Sequence, residues 1–420
     1  MTTNILIAPG VTLRAMQNHK FKTGCFSVNF LRQHNKENAS IDALLPSVLL
    51  RGTEKYPDMQ QITAHLDELY GSSFGTLVRC KGETKLFGFY AEFLEDQFVP
   101  GEGIFKGILD FLDQLLYHPY TEDGIFCTRF VEGEKRNLIN ALESAINDKR
   151  SYAARRLIHH MCEGEDYSIP RLGTVEDVEK ITPASLWEHY QHVLRNCSIE
   201  IFYGGRLSPR EAAAAFAPIF AHRKEAVWET SHTCLIPVAP QVREISEAMD
   251  VSQGKLVIGL RINMEPSDPD YVALNLLNVI FGGSMTSKLF CNVREKLSLC
   301  YYASSTFLRF KGIMFISAGI DCKDYKIAKD AILAELEACK QGNITPDELE
   351  SARIQLLSGL YAAMDAPNRL DDFFIGQAIV PTPDLPQQVE MVKTLTVRDL
   401  VAVANKLSLD TVYFLKGVKE

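Results

Sequence analysis

Apolar positions along this chain fall into two rhythms, and each rhythm occurs twice. Dense runs of β-branched and aromatic residues at 84–93 (TKLFGFYAEF) and 312–320 (GIMFISAGI) predict strands. Helical spacing follows a threonine cap in Ile181-Thr-Pro-Ala-Ser-Leu-Trp-Glu-His-Tyr and again in Leu395-Thr-Val-Arg-Asp-Leu-Val-Ala-Val-Ala. After each comes a β-rich run, CSIEIFYGG ending at Gly205 and DTVYFLKG ending at Gly417, which predicts a strand that glycine stops. Tyr120-Thr-Glu-Asp-Gly-Ile-Phe and Ile344-Thr-Pro-Asp-Glu-Leu-Glu open two long charged helices. These are predicted over 122–146 and 346–363, each laying one apolar stripe on a sheet.

The paired signals lie about two hundred residues apart, so the chain reads as an internal duplication. Helices and strands mix without strict alternation. The predicted class is therefore α+β, two homologous domains, each a sheet with helices packed on one face. Residues 206–250 carry Pro209, Pro218, Pro237 and Pro240 among alanines and charges. That composition predicts a helix followed by an extended connector, dividing domain 1–230 from domain 231–420.

Composition narrows the function classes. At 420 residues the chain exceeds one compact core, and 46% hydrophobic with 23% charged residues is the make-up of a folded globular protein. A net charge of −9 argues against a nucleic-acid surface, which needs clustered Lys and Arg. The first residues lack a basic start followed by a long apolar run, and no stretch reaches the roughly 18 apolar residues of a membrane span, so the expected location is cytoplasmic, with no membrane partner. Ten scattered cysteines form no C-x-x-C pair, which disfavours zinc ribbons and a disulfide framework. Cys197 and Cys234, set in apolar runs, read as small buried thiols. No G-x-S-x-G elbow, phosphate loop or dinucleotide fingerprint occurs.

Ala43-Leu44-Leu45-Pro46-Ser47, followed by Val48-Leu49-Leu50-Arg51-Gly52-Thr53, resembles the frame in which insulinase (pitrilysin) zinc peptidases carry His-x-x-Glu-His ahead of a hydrophobic-Arg/Lys-Gly-Thr tail. In that motif two histidines one helical turn apart hold zinc and the glutamate serves as general base. Here those positions hold Ala43, Pro46 and Ser47. The resemblance continues through Leu66-Asp67-Glu68-Leu69-Tyr70-Gly71, through 130–136 (FVEGEKR), and through Leu172-Gly173-Thr174-Val175-Glu176-Asp177 with Ile181-Thr182. Aligned on Glu134-Lys135, the family's third ligand, a glutamate, falls at Ala141. The resemblance thus implies a zinc site lost at four positions, no metal or other cofactor on this chain, and no catalysis by it alone. Pro46 should either sit in the first turn of a helix beginning at Asp42 or kink it. The family's substrate-binding edge strand falls at 72–77 (SSFGTL), without the usual Asn-Ala pair.

The second half keeps what the first has lost. Gly282-Gly283-Ser-Met-Thr-Ser-Lys-Leu-Phe290, then Arg294-Glu-Lys-Leu-Ser-Leu-Cys-Tyr301, resembles the family motif whose arginine and tyrosine lie near the scissile carbonyl. The resemblance implies the inactive subunit of a bacterial paired peptidase. Zinc would sit on a His-x-x-Glu-His paralogue, and Arg294 and Tyr301 would supply donors to an oxyanion on an unfolded peptide. A scaffold without proteolysis and a homodimer that captures extended peptides remain open beside this heterodimer. His65-Leu66-Asp67-Glu68-Leu69 stops one residue short of the zinc motif, with Glu143 downstream. Ala64, Leu66, Leu69 and Tyr70 form an apolar stripe there, so His65 reads as a solvated helix residue. His159-His160 with Glu163, and His189 with His192 beside Glu188, lack a hydrolytic spacing and read as surface groups.

Overall fold

A computed structural model describes residues 2–101, 103–224 and 228–418; residue 102, the extreme ends and part of the predicted connector, 225–227, lie outside the described residues. The chain begins with β1 (Thr3–Ala8), β2 (Val11–Gln17) and β3 (Thr23–Gln33), then α1 (Ala39–Leu49), α2 (Met59–Glu68), β4 (Ser73–Lys81), β5 (Thr84–Leu94) and α3 (Ile104–Tyr117). A ribbon of β6 (Thr121–Glu122) and β7 (Ile125–Phe126) leads into α4 (Thr128–Ser144) and α5 (Lys149–Met161). There follow α6 (Val175–Glu179), α7 (Pro183–Asn196), β8 (Ser198–Gly205) and α8 (Pro209–Phe216). The remainder is β9 (Arg243–Met249), β10 (Gly254–Ile262), α9 (Tyr271–Phe281), a π-helix (Leu289–Lys296), β11 (Tyr302–Leu308) and β12 (Ile313–Ile320), then α10 (Tyr325–Lys340) and α11 (Pro346–Met364). Last come α12 (Pro367–Ile379), α13 (Leu385–Thr394), α14 (Val397–Ala404) and β13 (Leu407–Gly417).

Two sheets carry the duplication. The first runs β1-β2-β8-β3-β5-β4 and the second β11-β12-β10-β13-β9. Read from opposite ends, β2-β8-β3-β5-β4 and β9-β13-β10-β12-β11 share one pattern. Each has a single parallel pair, β2 with β8 and β9 with β13, and is otherwise antiparallel. Val28 sits at the centre of the first sheet, opposite Phe89 and Ile201, and Ile258 holds the same place in the second, opposite Ile316 and Val412. All six side chains point into apolar cores, because alternate strand residues share a face. Thr182, Thr345 and Thr396 each close a capping box at the start of α7, α11 and α14.

One predicted helix start is displaced. Residues 121–126 form the β6–β7 hairpin instead, because Asp123 and Gly124 both adopt positive φ, 52° and 78°. An Asp-Gly pair is the preferred two-residue loop for such a hairpin. The helix waits until Thr128.

The compact units each combine three stretches of chain. One comprises Met1–Glu143, Ile169–His232 and Ala366–Ile379; the other comprises Ser144–Ser168, Thr233–Asp365 and Val380–Glu420. The helices α12 and α5 thus belong to the unit of the opposite sequence half. In the first unit, the core-forming helices cover one sheet face and α12 lies on the other. There Phe374 stacks on Phe202 with ring centroids 5.8 Å apart. Asp371 accepts hydrogen bonds from Ser27 Oγ and from Arg79 Nη1 at 2.8 Å, and Arg79 Nη2 donates to Asn29 Oδ1 at 3.0 Å. In the second unit, Ala153, Leu157 and Met161 of α5 pack on Val257, Tyr413 and Leu415. Buried Arg261 beside them meets Asp410 at 2.7 Å and Glu165 at 3.3 Å, and Lys311 meets Glu165 at 2.6 Å.

Removing one member of a buried charge pair leaves the other desolvated and alone, a loss of about 3–5 kcal/mol. Asp371→Ala is therefore expected to lower stability to denaturant by that order. Asp372→Ala removes a carboxylate whose side chain is 56% exposed against Lys81 and Arg79, and should cost under about 1 kcal/mol. Urea titration of the two variants checks the contrast.

Candidate functional site

Helix α1 is firmly held although its chemistry is absent. Buried Lys85 donates from Nζ to the carbonyls of Ala39, at 3.1 Å, and Arg171. Gly173, at φ 77°, lies so close that an added Cβ would meet Ser40 Oγ at 1.8 Å, and the next amide, of Thr174, donates to that hydroxyl at 3.2 Å. This is the physical content of the Gly-Thr pair that the sequence singles out: only glycine allows the turn and the approach. Asp42, fully buried, takes His189 Nε2 at 2.8 Å and Arg32 Nη1 at 3.3 Å. Arg32 also meets Glu229 at 2.9 Å, and Glu229 holds His192 Nε2 at 2.5 Å.

The zinc-motif positions fall on α1 and α4. Ala43 and Pro46 are buried, Ser47 is half-buried, and Ala141 is exposed on α4. Two methyl groups, a pyrrolidine ring and a neutral hydroxyl do not fit a zinc ion, which takes three protein donors of the imidazole, thiolate or carboxylate kind plus water. Among the described residues, no group of three or more His, Cys, Asp or Glu is arranged to hold a metal. The helix begins at Ala39, so Pro46 lies in its interior rather than its first turn. Its missing N–H leaves the Asp42 carbonyl without the usual helical donor, a defect that costs about 3 kcal/mol in an isolated helix.

Two histidine readings change, those of His65 and His189. His65 is half-buried, stacked on Tyr56 at 4.5 Å and edge-on to Phe111 at 6.0 Å. His189 is half-buried against Asp42, while His192 stays on the surface as read, tied to Glu229 across 37 positions of sequence. Neither pairing is visible as local spacing. Cys197 is buried, as its apolar run suggests, whereas Cys234 is exposed.

Arg294 and Tyr301 are brought to one place. Helix α9 ends at Gly282, where a Cβ would lie 2.6 Å from Ser305 Oγ; the bare backbone instead lets Gly282 accept from the Ser305 amide at 3.0 Å. The π-helix follows, its last i→i+5 bond running from Leu297 N to Asn292 O at 3.0 Å. Leu289 and Val293 anchor it in the core, and Arg294 projects outward with its guanidinium 4.5 Å above the Phe290 ring and 3.6 Å from Glu295. Ser298 adopts φ 52°, a left-handed conformation rare outside glycine. The chain then enters the sheet, with Tyr301 N bonded to Gly319 O at 2.8 Å.

Both side chains line an open cavity of about 400 Å³ together with Glu295, Cys300, Asp321 and Asp324. Tyr301, 54% exposed, donates its single phenolic proton to Asp321 Oδ1 at 3.1 Å. That hydrogen bond, then the charges of Asp321 and Asp324, push the phenol above its ordinary pKa. The arrangement sets two donors, Arg294 and Tyr301, beside an acidic wall of Asp321 and Asp324. Sequence reading found the first pair and missed the acidic wall, whose only trace is the Asp-x-x-Asp spacing after a strand. A π-turn and a strained non-glycine residue are features that gather at functional sites. In the first unit, β4 is the terminal strand of its sheet, paired with β5, and its Val78 carbonyl accepts from Arg171 Nη1.

Comparison with known proteins places these features in context. The family profile described as "Peptidase M16 inactive domain" matches residues 180–356. A protein of Bacillus subtilis strain 168 named "Probable inactive metalloprotease" is 32% identical over 418 residues, 98% of this chain and 96% of its own length. The crystal structure of a conserved protein from Enterococcus faecalis V583 superposes with TM-score 0.92 at 30% identity, covering 100% of this chain and 99% of that one. A Pseudomonas fluorescens structure titled as a peptidase M16 inactive domain shares the fold, with TM-score 0.80 at 17% identity over 99% of this chain and 98% of that one.

His65 gives a pH test of the packing around α2. Burial first, and the Lys55 ammonium second, hold its imidazolium below the ordinary value of 6.5. The unfolded chain therefore takes up a proton near pH 6.5 that the folded chain refuses. Stability should fall as pH drops from 7 toward 5. His65→Asn is expected to flatten that slope in pH-dependent urea unfolding, and an unchanged slope would show the ring to be freely solvated.

Proposed function

The chain belongs to the peptidase M16 family, and from that premise we propose that it is a non-catalytic member that completes the peptide-cleaving site of a zinc-bearing paralogue. One observation carries the reading: the zinc-motif positions hold Ala43, Pro46, Ser47 and Ala141, while Arg294 and Tyr301 stand on one cavity beside a π-helix and a strained serine. Tyr301 is half exposed, and among the described residues Arg294 meets the Phe290 ring and Glu295.

In the proposed heterodimer, zinc on the partner supplies the activated water. The residues of this chain bind and orient the peptide. Arg294 offers charged donors to the carbonyl oxygen that becomes negative during attack, and Tyr301 turns from Asp321 to add a second donor. No helix among the described residues is long and apolar enough to cross a membrane, and the proposed setting is the cytoplasm.

Titrating this chain into the zinc-bearing paralogue and following peptide hydrolysis tests the proposal. The rate should rise to a stoichiometric plateau. Arg294→Ala/Tyr301→Phe should lower that plateau by about 10²–10³, the range for losing donors to a developing oxyanion. A rate indifferent to the chain would sink the reading and leave a scaffold or a peptide-binding homodimer.

A further inference from the structure

Two histidines stand side by side at the end of α5, and the proposed function uses neither. His160, with 21% of its side chain exposed, belongs to a charge cluster that fastens α5 to β9 and β13. Glu247 of β9 is the hub. Its carboxylate accepts from Arg156 Nε at 2.8 Å, from the Tyr413 hydroxyl at 2.7 Å and from the Tyr152 hydroxyl at 3.4 Å, so side chains of α5 and β13 converge on β9. Arg243, also on β9, donates to the His160 carbonyl, one of the acceptors that a helix end leaves open, and meets Glu163 at 3.2 Å and Asp410 at 3.9 Å.

The His160 ring stacks on Tyr413 at 6.1 Å and lies 5.5 Å from the His159 ring. Its Nε2 is 3.2 Å from Arg156 Nη2 and 3.7 Å from Glu247. A guanidinium only donates, so the contact with Arg156 requires an unprotonated Nε2. A protonated ring would set N–H against N–H there and place two cations before one carboxylate. Burial first, then the charges of Arg156 and His159, hold the imidazolium below its ordinary value of 6.5. Burial works the other way on Glu247, but hydrogen bonds from Arg156 and Tyr413 keep its carboxyl below the ordinary 4.5.

We infer that His160 is a pH-sensitive latch on α5: the neutral ring completes the clasp around Glu247, and the protonated ring, competing with Arg156 for that carboxylate, lets the helix lift from β9 and β13. An open α5 returns His160 to water, where it binds a proton near pH 6.5. The closed form refuses that proton. Closure is therefore at full strength above pH 6.5 and weakens as pH falls below it, by up to about ten-fold in the open population per pH unit. Glu247, ionised throughout, contributes equally at pH 7.5 and 5.5.

Hydrogen exchange of the full chain at those two pH values, corrected for the intrinsic exchange rate, tests the latch. Amides of α5 should lose about ten-fold in protection at pH 5.5 relative to those of β12 in the same unit. His160→Gln, whose amide oxygen accepts from Arg156 without titrating, should hold α5 equally at both. Glu247→Gln should leave α5 open at both. In Arg156→Gln the protonated ring has the carboxylate to itself, and the fall should shrink. A fall that persists in His160→Gln, or that β12 shares in full, would overturn the latch, as would wild-type protection in Glu247→Gln.

Discussion

Buried charge on the outer face of each sheet is the constraint on which the architecture turns. Arg261 is 1% exposed and Lys311 fully buried, and each lies on a strand or adjoining turn whose opposite face is an apolar core. Cations in such places are tolerable only if carboxylates reach them. Asp410 comes from the neighbouring strand, but Glu165 comes from the segment after α5, more than ninety positions earlier. The first unit mirrors the arrangement: Arg79 and Ser27 on its strands wait for Asp371, which arrives on α12 from the end of the chain. Covering these faces with a helix of the opposite half satisfies both units by one device. The duplicated fold therefore specifies pairing by charge where the core specifies only burial.

Most of the regular structure was legible because local chemistry and burial agree. Residues 84–93 and 312–320 are β5 and β12 almost to the residue, and the three threonine boxes start α7, α11 and α14. Disagreement arises where a short-range signal was outweighed or overlooked. Asp123-Gly124 turned a predicted helix start into a hairpin. The single helix on the second face of each sheet was not legible, since the partners of Asp371 and Glu165 lie hundreds or scores of residues away and no spacing announces them. For the same reason His189 reads as a surface group, when it is half-buried against Asp42. Arg294 and Tyr301 were readable as a motif, whereas Asp321 became part of the picture only when β12 brought it to Tyr301.

The firm hold on α1 has a physical explanation in its own contacts. Its buried face carries Leu44, Leu45, Val48 and Leu49, and its first turn is tied by Lys85, Ser40 and Asp42. These contacts are independent of the zinc-motif positions. A metal site that merely decorates a helix already fixed by packing can be lost without unfolding, unlike small domains whose folding energy is the metal's own. The four replacements suit their surroundings: Ala43 and Pro46 fill buried positions without an unpaired charge, and Ala141 sits exposed where its methyl costs little. Even an internal proline is compatible, because neighbouring contacts hold the turn whose hydrogen bond it removes.

The Arg294 segment is the opposite case, and the contrast supports assigning it a role. The π-turn between Leu289 and Lys296 holds Leu289 and Val293 in the core, while Ser298 beyond it is left-handed and Tyr301 is half-exposed. Each carries a modest energetic cost, of order 1–3 kcal/mol for a strained backbone residue. A π-turn also rotates the residues after it relative to an α-helix, because each of its hydrogen bonds spans one residue more. The geometry that survives instead sets a guanidinium and a phenol against one cavity, with acidic groups behind the phenol. Packing fixes both segments; what sets this one apart is that it also presents a guanidinium and a phenol to a cavity.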